Sequence, residues 1–409
     1  MNNLVQLIAS YFVNSLWQVA VIGGAGWLMS RFLKGLGPRL HHLLWVTILT
    51  LAALAPAFSL LRSILAQSPF SPSAQNDSIV RSVLDRQPIS NNLVLPPASV
   101  LTLFLAFLVV TAWSVAKFAW SLHCTVRIRR EARPILLGTQ IEGLWSHCKT
   151  AFSVKDAQLL YSDRIAGPVT IGFAPSAILV SSGFMERCSG NDILAALAHE
   201  CAHVRRHDFQ KNLLYEVGSL TIAYHPMTWF VKAQIARTRE MICDETAARG
   251  ILIDRRSYAQ SLLRLAAFVS FSAGSLTSNA IGIFDGEILE ERIMTMRTAK
   301  QPFSPSLKYG LLTASVLVLF SVAAGIAAVA WPIQAQSQAV STAGKSQTDL
   351  ACTYYDAQGH GLDGTCETHK NDKVHYFCTA NYDMKISQEQ SGCEWKVQRA
   401  KALKQVPQP

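Results

Sequence analysis

The sequence predicts an α-helical membrane protein with four transmembrane helices, an inserted α+β domain and a small cysteine-containing tail. Three observations predict this class: long uncharged windows, one stretch of ordinary globular composition, and a group of cysteines near the C-terminus. Half of the 409 residues are hydrophobic and 16% are charged, whereas charged residues make up roughly 25% of a typical soluble domain. The shortage of charge is confined to a few windows, which is typical of membrane spans.

Four windows contain no Asp, Glu, Lys or Arg: residues 1–30, 40–61, 87–116 and 309–344. Each can hold a span of roughly 20 mostly apolar residues. We predict membrane helices near 5–28, 42–61, 97–120 and 311–331. Buried helices of a soluble protein are the alternative, but uncharged runs of this length are rare in soluble cores. The first positive charge, Arg31, follows the first apolar run, which favours a retained anchor over a cleaved signal peptide.

The net charge of +10 could suggest a nucleic-acid partner. Its distribution favours a membrane topology signal instead, because Lys and Arg gather in the cytoplasmic loops of membrane proteins. Basic residues follow the first and third spans and precede the fourth, at 31–39, 127–133 and 300–308. We therefore predict extracytoplasmic termini, a cytoplasmic domain between spans three and four, contact with the lipid bilayer, and no direct nucleic-acid binding.

The chain divides into a membrane part, one large domain and a tail. Residues 1–123 hold three spans, 124–305 form a domain of about 180 residues, and 306–331 hold the fourth span. Residues 332–350 form a polar linker, and 351–409 form the small extracytoplasmic tail.

Within the large domain, short strands are predicted over 165–180 and helices over 193–203, 212–224 and 227–249. Asp192 is the predicted cap of the first helix, and Gly250 is predicted to end the last one.

His199, Glu200 and His203 form an H-E-x-x-H motif on a predicted helix. Residues four apart lie on the same helix face, so both imidazoles can reach one ion. Zinc lowers the pKa of a bound water to about 7, and Glu200 can then accept its proton during attack on a peptide carbonyl. Two surface histidines are the alternative, but the apolar turn before them indicates a buried helix. Buried polar groups need a partner, and one Zn²⁺ per chain satisfies this requirement.

The third ligand has two candidates. His207 continues the i, i+4, i+8 series, but a straight helix cannot wrap three such side chains around one tetrahedral ion, so we interpret it as a surface residue or a neighbour of the ligands. Glu240 lies on a downstream helix, with Asp244 four residues further on the same face, where it can hydrogen-bond a ligand histidine. From spacing alone, an ordinary exposed glutamate remains an equal alternative for Glu240.

The cysteines fall into two groups. The tail contains Cys352, Cys366, Cys378 and Cys393, an even count that suggests two disulfides in one of three connectivities. Free thiols on a disordered tail and a structural zinc site are the alternatives. The other five belong to the part predicted to be cytoplasmic and reduced. Among them, Cys201 lies inside the zinc motif, where a small buried side chain is a better interpretation than a redox group.

Several motifs in sequential order resemble the BlaR/MecR-type family of membrane metallopeptidases, which transduce the signal for inducible beta-lactam resistance. The resemblance covers the four spans and residues 127–308, about three quarters of the chain. The matching residues are Ser162–Asp163, Gly167–Pro168, Gly172–Phe173, Pro175, Ile178–Val180, His199–Glu200, His203, Arg205–Arg206, Asp208, His225–Pro226, Trp229, Arg239–Glu240, Cys243–Asp244 and Glu291–Arg292–Ile293.

The resemblance implies a gluzincin-type site, with His199, His203 and Glu240 on zinc and Glu200 as the general base. It also implies that the region Ile178–Val180 supplies an edge strand to which substrate pairs. The family acts in the bacterial inner membrane and causes the loss of a cytoplasmic winged-helix repressor, often with self-cleavage.

The tail departs from the family pattern, because the residues after span four contain no Ser-x-x-Lys motif of a penicillin-binding domain. Covalent sensing of a beta-lactam is therefore not expected. The favoured function is a zinc endopeptidase that inactivates a repressor. A quality-control protease similar to the HtpX type is one alternative, and a non-catalytic receptor or scaffold with a zinc site is the other.

Overall fold

The fold was analysed in a computed structural model of the 409-residue chain. It describes residues 3–66, 93–135, 138–172, 175–272, 286–297, 304–329, 331–335, 350–355, 361–370, 374–380, 382–391 and 394–405. The chain forms two compact units, Met1–Gln336 and Ser337–Pro409. The first unit contains the membrane helices together with the domain that carries the H-E-x-x-H motif.

Four helices are long and apolar enough to cross a membrane. They are α1 (Asn3–Phe32), α2 (Pro38–Ala66), α3 (Pro97–Glu131) and α11 (Pro305–Ala328). A short strand β1 (Leu93–Leu95) precedes α3 and pairs in parallel with β6 (Ile333–Ala335), which follows α11. The described chain thus contains one span for each predicted window.

The helices of the third and fourth predicted spans end at other residues than the predicted spans do. Helix α3 continues beyond residue 120 to Glu131 and so crosses the predicted boundary at 123. The polar segment after the apolar run keeps its helical hydrogen bonds because it contains good helix formers such as Arg and Glu. Helix α11 ends at Ala328, before the predicted limit at Trp331, since Pro332 disfavours helical geometry in the residue that precedes it.

The next elements surround a small four-stranded sheet. They are β2 (Arg133–Pro134), α4 (Thr139–Phe152), β3 (Gln158–Tyr161), β4 (Val169–Ile171) and β5 (Ala177–Val180). The strand order is β2-β3-β5-β4, with β3 and β5 parallel and the other pairs antiparallel. All four residues of β5 are buried.

The expectation that Ile178–Val180 forms an edge strand was wrong. These residues belong to β5, which lies between β3 and β4, and β4 is the edge strand among the described residues. A strand that is apolar on both faces is buried on both faces, so it takes an interior position in the sheet.

Helices complete the domain: α5 (Ser182–Arg187), α6 (Gly190–Arg206), α7 (Asp208–Gly218), a 3₁₀ turn at Leu220–Ile222, α8 (Pro226–Gly250), α9 (Arg255–Ser272) and α10 (Gly286–Arg297). One hydrophobic core joins the sheet to α4, α6 and α9. A second core joins α8 to the membrane helices, where Val231 and Ile235 pack in one cluster with Leu44 and Ile48 of α2. Helix α8 also contributes Cys243 and Ala247 to the first core, so it links the motif-bearing domain to the membrane helices.

Of the two predicted helix signals, Gly250 ends its helix as expected, whereas Asp192 is not the cap of its helix. Helix α6 begins at Gly190, and its cap is Ser189, whose hydroxyl accepts a hydrogen bond from the Asp192 backbone N–H. Asp192 lies one turn inside and accepts hydrogen bonds from Arg264 instead. Gly250 is the last residue of α8, where a Cβ would lie 2.4 Å from the Phe152 ring. Close packing therefore requires glycine there.

The tail unit forms a five-stranded antiparallel sheet in the order β11-β10-β9-β8-β7. Its strands are β7 (Leu350–Tyr355), β8 (Gly361–Lys370), β9 (Val374–Ala380), β10 (Tyr382–Ser391) and β11 (Glu394–Gln405). The register places Cys366 directly opposite Cys378 on neighbouring strands. Cys352 lies on β7, and Cys393 falls outside the described residues. Disulfide pairing stays a prediction.

Candidate metal centre

Helices α6 and α8 bring together the three residues that the sequence singled out. His199 and His203 lie one turn apart on α6, and Glu240 lies in the buried middle of α8. Nε2 of His199 is 3.1 Å from Nε2 of His203 and 3.2 Å from Oε2 of Glu240. The remaining distance, from Nε2 of His203 to Oε2 of Glu240, is 3.7 Å. Three donor atoms therefore converge from two helices on one point.

The triangle of donor atoms fits a tetrahedral zinc ion. Zinc binds imidazole nitrogen and carboxylate oxygen at 2.0–2.2 Å, so two ligands of a tetrahedron lie about 3.3 Å apart. The measured separations of 3.1, 3.2 and 3.7 Å bracket this value. Two imidazoles and one carboxylate with an open fourth position are also the ligand set of a catalytic zinc site.

Each of the two histidines has a carboxylate beside Nδ1, the ring nitrogen that does not face the other donors. Nδ1 of His199 lies 2.9 Å from Oδ1 of Asp244, and Nδ1 of His203 lies 2.9 Å from Oδ2 of Asp208. This arrangement holds each ring so that Nε2 faces the other donors, as in the carboxylate–histidine pairs of known zinc sites. Asp244 was expected in this position from its spacing, whereas no role was predicted for Asp208.

Further buried groups support the two carboxylates. Nε of Arg292, from α10, lies 2.6 Å from Oδ2 of Asp244, and the Tyr258 hydroxyl donates to Oδ1 of Asp244 at 3.2 Å. Nε of Arg206 donates to Asp208 at 3.1 Å. The sequence offered one weak signal for Arg292 and Asp208, their membership in the matching motifs, but no spacing rule links them to the histidines.

The carboxylate of Glu200 lies beside the donor triangle, 4% exposed and next to the edge strand. The Thr170 hydroxyl of β4 donates to Oε2 of Glu200 at 2.7 Å. The same hydroxyl lies 3.1 Å from the Glu200 carbonyl oxygen, so it joins β4 to α6. Thr170 is a second residue for which no role was predicted.

The pKa shifts at the site keep the carboxyl groups of Glu240 and Asp244 ionised. Burial raises the pKa of Glu240, but the neighbouring imidazoles of His203 and His199 outweigh it and hold that pKa well below its usual value. Burial also raises the pKa of Asp244, and Arg292 with His199 reverses this effect and lowers it to about 2. Burial lowers the pKa of His199, and its hydrogen bonds to Asp244 and Glu240 raise it above the ordinary value overall. Ionised carboxylates around two imidazoles suit a divalent cation.

Three other residues that the sequence or the structure brings into question are His207, Cys243 and Cys201. His207 is exposed in a left-handed turn between α6 and α7, away from the triangle. The Cys243 sulfur lies 3.3 Å from both Nδ1 of His203 and Oδ2 of Asp208. His203, Asp208 and Cys243 form a second group that could hold a metal ion. It shares His203 with the first group but uses Nδ1 of the ring instead of Nε2. Cys201 is fully buried, as expected for a small packing side chain.

Comparison with known proteins decides the family. A profile described as BlaR1 peptidase M56 matches residues 11–296, more than half of the chain. The chain belongs to the BlaR1 peptidase M56 family. A curated M56 relative, Regulatory protein BlaR1 of Staphylococcus aureus, is 22% identical over 148 residues. The match covers 36% of this chain and 25% of the relative, so the chain aligns with a quarter of that protein's length.

Membership in the M56 family confirms the resemblance inferred from the motifs. Together with the four apolar helices, it indicates a multi-pass membrane protein of a peptidase family. M56 enzymes are metallopeptidases, and the described residues contain a donor group that could hold the metal.

Proposed function

We propose that this M56 member is a zinc metalloendopeptidase of the gluzincin type. His199, His203 and Glu240 would hold one Zn²⁺, and Glu200 would act as general base. The observation that carries the proposal is the convergence of the three donor atoms, 3.1 to 3.7 Å apart, beside a buried Glu200. When bound, zinc would acidify the attacking water and polarise the scissile carbonyl.

Residues of the chain would supply the other steps of catalysis. Glu200 accepts the proton of the water and delivers it to the nitrogen of the leaving amine. Thr170 holds the Glu200 carboxylate in the required orientation through its 2.7 Å hydrogen bond. Asp244 and Asp208 fix the two ligand imidazoles. Since Glu200, Asp208 and Asp244 are buried and hydrogen-bonded, little reorganisation is needed during the reaction.

The edge strand β4 is the proposed docking strand for the substrate backbone. It presents one free side among the described strands and contains Thr170, which contacts Glu200. A peptide that adds to this edge would therefore lie against the catalytic carboxylate. Val169–Ile171 thereby takes the role of substrate-docking strand that was first expected of Ile178–Val180.

The proposed biology is signal transduction at the cytoplasmic face of a bacterial inner membrane, by inactivation of a winged-helix repressor. The basic loops support this orientation, with both termini extracytoplasmic. The name of the relative, a regulatory protein, supports a signalling role. A quality-control protease of membrane proteins is the second candidate, supported by the domain's shared core with the membrane helices.

The test compares cells that express the intact chain, Glu200→Ala and Glu186→Ala, where Glu186 is an exposed control. New protein N-termini are identified by mass spectrometry, and the zinc content of each purified protein is measured. We expect cuts with the intact chain and Glu186→Ala only, and equal zinc in all three. Proteolysis that survives in Glu200→Ala would refute the assignment. Cleavage of a cytoplasmic regulator would favour the signalling function, and cleavage of membrane proteins would favour quality control. Bound zinc without any cleavage would favour a non-catalytic receptor.

A further inference from the structure

A cavity of about 710 Å³ adjoins the candidate metal centre. One wall belongs to the membrane helix α3, and the opposite wall belongs to α7, the 3₁₀ turn and the first turns of α8. Glu200, His203 and Glu240 line one end, together with Thr170 of the edge strand. The cavity therefore connects the catalytic residues directly to a membrane-spanning element.

Helix α3 borders the cavity with its second half, and no residue described there is buried. Its buried residues are Val100 and Phe107, both in the first half. The Phe107 ring packs against Tyr11 of α1 and Tyr224 of the motif-bearing domain, with ring centroids 5.6 and 6.3 Å away. Beyond this aromatic contact, one face of α3 lines the cavity at helical spacing: Val110, Trp113, Ser114, Lys117, Phe118, Ser121, Leu122 and Thr125.

The rim of the cavity has the chemistry of a membrane–water interface. Trp113 of α3 and Trp229 of α8 both line it and are 72% and 61% exposed. Lys117 and Lys232 line the same cavity. Tryptophan and lysine are the side chains that gather where a helix meets the headgroup layer. The rim thus has the side-chain composition that is typical of a helix at the headgroup layer.

We infer that this cavity binds an unfolded, apolar or aromatic segment adjoining the membrane span of another protein, and that the segment enters sideways from the bilayer surface. The inference rests on the proposed peptidase function and favours membrane proteins over a soluble repressor as its substrates. Val110, Trp113, Phe118 and Leu122 make half of the α3 wall apolar or aromatic. Helix α3 is also a candidate membrane span, so a chain already confined to the membrane reaches this wall without leaving the interface. From there the segment meets β4 and Glu200 at the far end of the same cavity.

The test uses the full chain in liposomes with two reporters that share one flexible segment rich in Phe and Leu. In the first reporter the segment follows a single transmembrane helix, and in the second it is soluble. The photoreactive residue benzoylphenylalanine replaces Trp113 in the Glu200→Gln background. A matched variant carries it at Trp120, a tryptophan of α3 that is 68% exposed and does not line the cavity.

We expect crosslinks from position 113 to the anchored reporter, and background crosslinks from position 120. Crosslinks from position 113 to lipid alone, or equal crosslinks from both positions, would overturn the inference. So would equal capture of the soluble and anchored reporters. This readout needs no catalysis, so it is independent of the proposed chemistry.

A cleavage assay with the active chain distinguishes the two proposals. We expect the anchored reporter to be cut about 100-fold faster than the soluble one, because membrane confinement raises its effective concentration. Trp113→Ala should slow this cleavage about tenfold through lost apolar contact, and Trp120→Ala should not. Equal cutting of both reporters, or cutting of soluble casein alone, refutes lateral entry but keeps the peptidase. A chain that cuts neither the reporters nor casein refutes the peptidase.

Discussion

Arg292 and Asp244 form a buried ion pair, in which Nε and Nη2 of the arginine donate to the two carboxylate oxygens at 2.6 and 2.8 Å. Both residues are 1% exposed. Asp244 also contacts Nδ1 of His199 at 2.9 Å, so the arginine stabilises the carboxylate that orients a candidate zinc ligand. Arg292 lies on α10, the described helix that precedes the fourth span.

Arg292→Met should destabilise the protein and weaken its zinc binding. The substitution leaves Asp244 as an uncompensated buried charge, which costs about 3–5 kcal/mol of unfolding free energy. Arg256→Met is the control, because Arg256 is exposed on α9. Thermal unfolding of the full chain in detergent and its bound zinc measure the effect. Matching melting temperatures for the two variants would contradict the role of the pair.

Asp208→Asn should weaken zinc binding by 10–100-fold, the range found when partners of ligand histidines are changed. Asparagine retains the shape but loses the charge beside Nδ1 of His203. The dissociation constant, measured by competition with a chelator, should be unchanged in Asp156→Asn, where the carboxylate is exposed. If both variants hold zinc as tightly as the parent, Asp208 does not orient His203.

Thr170→Val should lower the turnover number by about tenfold, since a hydrogen bond to a charged group contributes roughly 1.5–3 kcal/mol. Valine has nearly the same shape but cannot donate to Glu200. Bound zinc should stay constant, because Thr170 contacts none of the three ligands. Thr170→Ser retains the hydroxyl and should restore most of the rate with casein as substrate. A slow serine variant would instead indicate a packing role.

Asp192 should stabilise the fold in a pH-dependent manner. Burial raises the pKa of its carboxyl, but hydrogen bonds from Arg264 and Ser189 outweigh this effect and lower it. The pKa of Asp192 in the folded protein therefore lies below its value of about 3.9 in the unfolded chain. The stabilisation is complete above pH of about 3.9 and is lost as the pH falls through the pKa of the folded protein.

Asp192→Asn should therefore cost about 1 kcal/mol at pH 7, a modest value because Arg264 is 54% exposed and partly screened. The difference in melting temperature between Asp192→Asn and the parent protein should become smaller below pH of about 4. Glu142→Gln, in the exposed first turn of α4, is the control. A pH-independent difference would show that charge is not the cause.

Gly250→Ala and Gly143→Ala should change stability in opposite directions. A Cβ at Gly250 meets the Phe152 ring at 2.4 Å, and overpacking typically costs 1–3 kcal/mol. A Cβ at Gly143 on α4 meets nothing within 4 Å, so alanine there should add about 1 kcal/mol through helix propensity. The melting temperatures of the two variants are measured in the same detergent and compared with that of the parent protein. A stabilised Gly250→Ala would contradict the close packing.

Several features could be predicted from sequence because they depend on neighbouring residues. Apolar runs long enough to cross a bilayer identify the four spans, since a buried charge is costly at any position in the membrane. The i, i+4 spacing of His199 and His203 places both imidazoles on one helix face. The same rule relates Glu240 to Asp244.

Tertiary packing decided the rest. The choice of Glu240 over His207 depends on how α8 crosses α6, and the interior position of β5 depends on which strands pair. Asp208 and Arg292 approach the histidines only when separate helices pack together. The cavity beside α3 is formed by α3 together with α7, the 3₁₀ turn and α8. Local periodicity indicates which side chains share a face, whereas contacts between distant segments depend on the packing of the whole fold.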